Sequence, residues 1–410
     1  MKDFFKVATI EQVMSLRNRF PVLKRTTVPL SEACGRILSE SIAAPENLPG
    51  FRRATMDGYA VRAASTFGAS ESNPAYLTIA GTSRMGESPD FSIGNGEAAR
   101  ISTGAMLPDG ADCVVMVEHT EAMDATTLEI YKSAAPGQYV IEPAEDFAKG
   151  DIILSEGKRL RAQEIGLLAA FGRENVPVFG RPVIAVISTG DELVPMMEPP
   201  GPGKIRDINT HTLAALIQEC GAEPVSYGIV PDNRKSLARI LEAAVEASDM
   251  VLLSGGSSVG VRDIAIDALS NLPETDILIH GISISPGKPA ILATSRQKAI
   301  WGLPGHVTST MIVFLKVVKP FIHHISGAAD MLFQTSVRSA RLSRNVASAQ
   351  GRVDYIRVKL RETEDGLVAD PILGKSGLIN TMVKADGLVE IGLNVEGLNQ
   401  GAAVEVELLT

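Results

Sequence analysis

Between residues 180 and 326, short apolar runs alternate with segments whose apolar side chains recur every three or four positions, an order that leaves few folds open. Strand-like runs at 183–187, 224–230 and 250–253 are separated by two helical segments. The first, 210–220, stops at Gly221; the second, 234–247, puts Leu237, Ile240, Leu241 and Val245 on one face. Further strand-like runs follow at 276–284, 290–293 and 299–302, and a helix over 305–325, interrupted at Pro320, closes the region. The pattern predicts a doubly wound α/β domain with a parallel sheet. Such sheets bind ligands in loops beyond the carboxyl ends of their strands, so chemistry is expected there.

The flanking regions read differently. Thr9, Gln12 three positions on, and Val13, Leu16 and Phe20 at helical spacing predict a capped helix over 9–20 that Pro21 ends. From 49 to 146, β-type runs such as 76–79, 98–101, 113–117 and 127–130 are separated by Gly, Pro, Asn and Asp, predicting a β-rich insert. Helical spacing returns at 162–171. After Gly327 the pattern is β again, at 332–342, 355–360, 366–369, 387–391 and 403–409, so a small all-β domain closes the chain.

Length and charge narrow the function. With 410 residues and 45% apolar content, the chain is long enough for two to four domains. A formal net charge of -9 argues against nucleic acid as a partner, so any phosphate site must be local. Cys34, Cys113 and Cys220 are scattered without a CxxC pair and indicate neither a disulfide framework nor a structural zinc site. No uncharged apolar run nears the roughly 18 residues of a membrane helix, and the N-terminus lacks a signal-type apolar core. A cytoplasmic protein with no membrane contact is expected.

Several strand-end loops carry candidate chemistry. Ser188-Thr-Gly-Asp-Glu192 leaves its strand through Gly190 and aims Asp191 and Glu192 outward. Ser254, Gly255, Gly256 and Ser257 open a Gly/Ser loop before a helix expected at 262–268, where free N–H groups suit a phosphate. Asp263 either caps that helix or ligates a metal. Pro286-Gly-Lys-Pro289 sets one cation, Lys288, between rigid flanks, and Leu303-Pro304-Gly305-His306 opens another helix. Carboxylates at Asp191, Glu192 and Asp263 suit a hard divalent cation, so anion donors beside them point to a metal-bridged phosphate. Asp232, between a strand and a helix, occupies an ordinary N-cap position. Asp57 before Gly58 and Thr103 before Gly104 read, on local chemistry alone, as turns.

In order along the chain, Ala54-Thr-Met-Asp-Gly-Tyr-Ala-Val61, Ile101-Ser-Thr-Gly-Ala105, Ser188-Thr-Gly-Asp-Glu-Leu193, Ser254-Gly-Gly-Ser-Ser-Val-Gly260, Pro286-Gly-Lys-Pro289, Leu303-Pro-Gly305 and Gly351-Arg-Val-Asp354 resemble the molybdopterin molybdenumtransferase family. That family comprises bacterial MoeA and the E domain of gephyrin. The resemblance implies a discontinuous helical linker domain (1–48 and 147–179), a β-rich insert (49–146), a molybdopterin-binding α/β domain of the MogA/MoaB type (180–326) and a C-terminal β-barrel (327–410). It implies a homodimer in which one subunit's insert helps to close the other's active site, and contact with a molybdopterin adenylyltransferase. The implied reaction inserts molybdate into adenylyl-molybdopterin, releasing AMP and the molybdenum cofactor with Mg2+ assisting.

By motif position, the resemblance makes Glu192 and Asp263 metal ligands and, with Asp57, Thr103 and Asp232, catalytic residues. It assigns substrate binding to Asp146, Gly190, Ser254, Gly255, Gly256, Ser257, Lys288, Pro304, Gly305, Arg352 and Ser376. The chain also departs from the pattern: Gly281 and Ser285 stand where some relatives carry lysines, and Val307 where a proline is common. Two other functions remain open. The α/β domain alone would suffice for a molybdopterin adenylyltransferase, which leaves the other domains and the Asp57 segment unexplained. A non-catalytic scaffold, the role gephyrin's E domain takes when it clusters receptors, has no need of four carboxylates around an anion site.

Overall fold

The structure, a computed structural model, describes residues 7–255, 259–329 and 336–409, with the backbone alone described at 259–263. The chain forms two compact units, one of residues 1–40, 156–166 and 173–410, the other of residues 41–155 and 167–172.

In the first unit a six-stranded sheet runs in the order Glu223–Val230, Val183–Thr189, Met250–Ser254, Lys298–Leu303, Ile291–Ser295, Asp276–His280. The period-two alternation of side chains gives it two apolar faces, and both are covered. Ile184, Val186, Leu252 and Trp301 pack with Leu213 and Ile217 of helix Asn209–Glu219 and with Ile312, Phe314 and Phe321 of the closing helix. Ala185, Ile187, Val251 and Ile300 pack with Leu237 and Leu241 of Arg234–Ala247 and with Ala268 and Leu269 of Val259–Ser270. Helices on both faces make this a doubly wound sheet.

One strand departs from the expected parallel order. Ile291–Ser295 runs antiparallel to both of its neighbours. Arg296 and Gln297 have positive φ, 48° and 60°, and form a two-residue turn between the paired Ser295 and Lys298. Left-handed backbone at both turn positions matches the twist of a hairpin, and Asn and Gly are its usual sequence signals. An Arg-Gln pair carries neither, so the hairpin is hidden in the sequence.

The closing helix runs as Val307–Val313, a π-turn at Phe314–Val318, and Lys319–Ile325. Pro320 has no N–H to donate to Lys316, and the ladder widens there instead of ending. At the other end of the chain, helix Ile10–Ser15 carries a reciprocal capping box between Thr9 and Gln12, and a 3-10 turn, Leu16–Arg19, follows. Val13 and Phe20 join the sheet core. Arg25–Pro29 then pairs with Asn175–Phe179, Arg25 lying opposite Phe179, so the segments before and after the second unit meet in one ribbon.

Five C-terminal strands close on themselves in the order Val353–Thr363, Gly366–Pro371, Val337–Leu342, Ala403–Leu408, Gly387–Ile391 and back to Val353–Thr363. Ile284–Ser285, just ahead of the Pro286 turn, adds to the Val353 edge of this barrel. The expected start of its first strand, 332–335, lies outside the described residues. No helix among the described residues is long and apolar enough to cross a membrane.

The second unit is built on a six-stranded sheet, Cys113–Met116, Gly58–Val61, Glu97–Ile101, Ala75–Ser83, Thr127–Ile130, Thr120–Ala122. Tyr59, Val61, Val115 and Leu128 fill one side, and Ala60, Ala99, Ile101 and Val114 the other. The β-rich reading of this region holds.

One buried base gives the first unit an acid limit. Burial, with Lys319 and Arg159 adding repulsion, pulls the pKa of His323 down from 6.5 to about 4. Between those values the unfolded chain takes up a proton that the folded chain refuses, so stability falls as pH drops from 6.5 towards 4 and levels off below. The loss expected from this group is on the order of 2–3 kcal/mol. Denaturant titrations at pH 7.5 and 4.5 should show that part of the loss missing in His323→Gln; an equal pH dependence in both proteins would refute the assignment.

Candidate functional site

Strand Val183–Thr189 lies between Glu223–Val230 and Met250–Ser254, and the helices that follow it and Met250–Ser254 cover opposite faces. Loops leaving the ends of these two strands therefore diverge and open a crevice, the usual ligand position in this fold class. A cleft of about 420 Å³ lies there, lined by Gly190, Glu192, Asp207, Asp232, Ser254, Gly255, Gly305 and His306 among others. Gly255 has φ +136°, and a Cβ there would stand 2.1 Å from the Thr189 carbonyl oxygen. Only glycine lets the two strand ends lie this close.

The acid groups are held in place by backbone and hydroxyl donors. Asp232 Oδ1 accepts from Thr189 Oγ1 at 2.6 Å, while the Asp232 N–H donates to Asp191 Oδ1 at 3.2 Å. Asp232 is not the expected N-cap: Asn233 takes that position, accepting from Ser236 N at 2.9 Å, which leaves the aspartate turned to the cleft. Asp207 is buried and accepts from Ser188 Oγ at 3.0 Å and from Thr210 N at 3.1 Å. Asn209 donates through Nδ2 to Ser254 Oγ at 2.6 Å and to Gly305 O at 2.9 Å, tying two of the lining loops to the start of helix Asn209–Glu219. Sequence reasoning missed Asp207 and Asn209; their signal is a polar pair at a helix start, which local pattern cannot tell from a cap.

A second cleft, of about 380 Å³, shares His306 with the first and is lined by Lys288, Pro304, Ser309, Arg352 and Ser376. The Pro286 turn places Lys288. Gly287 has φ +130°, and a Cβ there would stand 2.4 Å from Val313 Cγ2, so glycine lets the turn lie flat against helix Val307–Val313. Arg352 Nε pairs with Asp354 Oδ1 at 3.2 Å. Burial alone would raise Asp354, but hydrogen bonds from Ser285 and Ser348 and the Arg352 guanidinium hold it below the usual carboxylate range. The buried carboxylate thus aims the arginine. Ser376 Oγ is 2.9 Å from His306 Nδ1, and its carbonyl accepts from Thr308 N, which joins the barrel to the start of the closing helix. Helix Val307–Val313 starts at Val307, with His306 in the N-cap position.

The two clefts differ in charge. Glu192, Asp207 and Asp232 face one Arg206 in the first, whereas the described lining of the second has Lys288 and Arg352 and no carboxylate. Ten of the implied site residues therefore gather here: Gly190, Glu192, Asp232, Ser254, Gly255 and Gly305 in the first cleft, and Lys288, Pro304, Arg352 and Ser376 in the second. Gly256, Ser257 and the Asp263 side chain lie outside the described residues. Asp263 falls on the fifth residue of helix Val259–Ser270, which rules out the capping role. Among the described residues no cluster of three or more His, Cys, Asp or Glu is set to hold a metal ion.

In the second unit, the register Gly58↔Ile101 brings the residues flanking those positions together. Asp57 Oδ1 accepts from Thr103 N at 2.6 Å and from Thr103 Oγ1 at 3.0 Å, and these bonds hold its pKa below the usual carboxylate range. Asp57 is solvent-exposed, and so is Asp146, whose N–H bonds Leu48 O at 3.1 Å.

Comparison with known proteins covers nearly all of the chain. Residues 8–172 match the MoeA N-terminal region (domain I and II), residues 185–324 a family described as a probable molybdopterin binding domain, and residues 339–409 the MoeA C-terminal region (domain IV). A molybdopterin molybdenumtransferase of Haemophilus influenzae is 31% identical over 380 residues, 92% of each chain. One from Nostoc is 37% identical over 305 residues, 74% of this chain and 70% of the relative. The crystal structure of a MoeA molybdopterin biosynthesis protein from Pyrococcus horikoshii, 39% identical, superposes with a TM-score of 0.81 over 99% of this chain and 100% of that one. On these matches, and on the strand-end clefts that its own motifs build, the chain belongs to the MoeA family.

Proposed function

We infer that this chain is a molybdopterin molybdenumtransferase, which inserts molybdate into adenylyl-molybdopterin and releases AMP with the molybdenum cofactor. The observation that carries the reading is an acidic cleft adjoining a basic one, with His306 lining both. Molybdate is a dianion, and Lys288, Arg352 and the hydroxyls of Ser309 and Ser376 offer it charge and donors. Glu192, Asp207 and Asp232 would repel the substrate's pyrophosphate unless a cation lay between them.

By the motif positions of the family, we assign Mg2+ to Glu192 and Asp263. Oxygen donors suit this hard ion, which takes one or two carboxylates alongside phosphate oxygens and water. When bound it supplies charge neutralisation and polarises the phosphoanhydride bond that must break. The chain's own residues do the rest: Lys288 and Arg352 orient the oxyanion, Gly255 lets phosphate approach the backbone, and Ile205 and Ile208 line the first cleft with apolar surface. The reading includes a cytoplasmic homodimer in which Asp57, Thr103 and Asp146 of one copy complete the cleft of the other. The substrate would come from a molybdopterin adenylyltransferase in contact with it.

The test is AMP release by the full chain supplied with adenylyl-molybdopterin, magnesium and molybdate. AMP should appear with the cofactor, require molybdate, and stop when magnesium is chelated. No AMP, or AMP released equally without molybdate, would remove the reading; release that survives chelation would remove the metal.

A further inference from the structure

Arg357 is the only buried arginine among the described residues, with 7% of its surface exposed. It lies on barrel strand Val353–Thr363, which Arg352 of the basic cleft immediately precedes. Its Nη2 donates to the Gly374 carbonyl at 3.1 Å, its Nε meets no acceptor, and no carboxylate pairs with it among the described residues. Burial lowers its pKa, yet a guanidinium stays protonated at any working pH. Folds seldom keep a buried cation without an answering anion, because removing it from water is costly. Among the described residues the barrel meets that cost with the Gly374 carbonyl and no anion.

What the guanidinium holds is the turn Gly374-Lys-Ser-Gly377. Space there is tight, since a Cβ on Gly374 would stand 2.7 Å from Thr381 Cγ2. Two residues on, Ser376 is bonded through Oγ to His306 and through its carbonyl to Thr308 N, and it lines the basic cleft. The turn is thus pinned on one side by Arg357 and on the other by the start of the closing helix.

We propose that Arg357 is a positioning residue for the oxyanion: it fixes the turn that presents Ser376, and its unanswered charge adds to those of Lys288 and Arg352 in selecting a dianion. It does not touch the ligand. The inference rests on reading the basic cleft as the molybdate site.

Binding of sodium molybdate alone to the full chain tests it, by titration calorimetry on wild type, Arg357→Met and Arg357→Lys, with the unfolding midpoint measured in parallel. Arg357→Met should bind molybdate about tenfold more weakly. Its midpoint should hold or rise, because an apolar side chain replaces an unpaired buried charge. Arg357→Lys should recover part of the affinity. An arginine that only braces the barrel gives the opposite pattern, a lower midpoint with affinity unchanged. Unchanged affinity, equal weakness in Met and Lys variants, or an Arg357→Met chain that cannot fold each overturns the proposal. Wild type that binds no molybdate removes the reading of the cleft as well, whereas wild-type binding matched by Arg357→Met removes the role of Arg357 alone.

Discussion

Glu192→Gln should slow AMP release from adenylyl-molybdopterin by about 100-fold or more, with the melting temperature unchanged, since even outer partners of a metal ligand are worth 10–100-fold. The amide keeps the size of the side chain and removes the charge, and Glu192 is exposed at the cleft, so folding loses nothing. Raising magnesium should restore part of the rate if the carboxylate acts through the ion. Asp57→Ala should fall as far by a different route. Thr103 keeps Asp57 ionised down to low pH, so the variant removes a fixed negative charge whose loss added magnesium does not repair. Undiminished turnover in both variants would refute the site assignment.

Trp301→Ala should lower the stability of the first unit by about 3–5 kcal/mol, the range for emptying a large aromatic site in a core. Trp301 is fully buried on strand Lys298–Leu303 and meets Phe321 edge-on, with ring centroids 5.1 Å apart. Strand, closing helix and N-terminal helix all share that core, so no single element can shift to fill the void. Because Trp301 is the chain's one tryptophan, the measurement should be guanidinium unfolding followed by circular dichroism. A midpoint equal to wild type would show that the neighbours collapse into the cavity. Trp301→Phe should cost far less.

Much of this was legible in the sequence because apolar period and loop chemistry agree. Runs of buried apolar residues mark the strands around Val183 and Met250, Gly190 and Gly255 mark their ends, and Thr9 with Gln12 marks the first helix. What stayed hidden depends on tertiary neighbours. Asp232 looks like a cap until Asn233 takes the bond, and Asp207 and Asn209 look like solvated helix-start residues until Ser188, Ser254 and Gly305 are brought against them. The antiparallel strand at Ile291–Ser295 depends on a turn whose residues do not advertise it. Arg357 reads as a surface charge in an alternating strand, and only barrel closure shows it buried.

The ribbon between Arg25–Pro29 and Asn175–Phe179 has a consequence for synthesis. Arg25–Pro29 finds its partner in chain that leaves the ribosome only after the whole intervening unit, whose sheet and cores are complete in themselves. Contacts so far apart along the chain form late. The nascent chain therefore folds from the middle outward, and its leading segment waits for partners: Arg25–Pro29 until translation passes Phe179, and Val13 and Phe20 until the strands and closing helix of the sheet core follow.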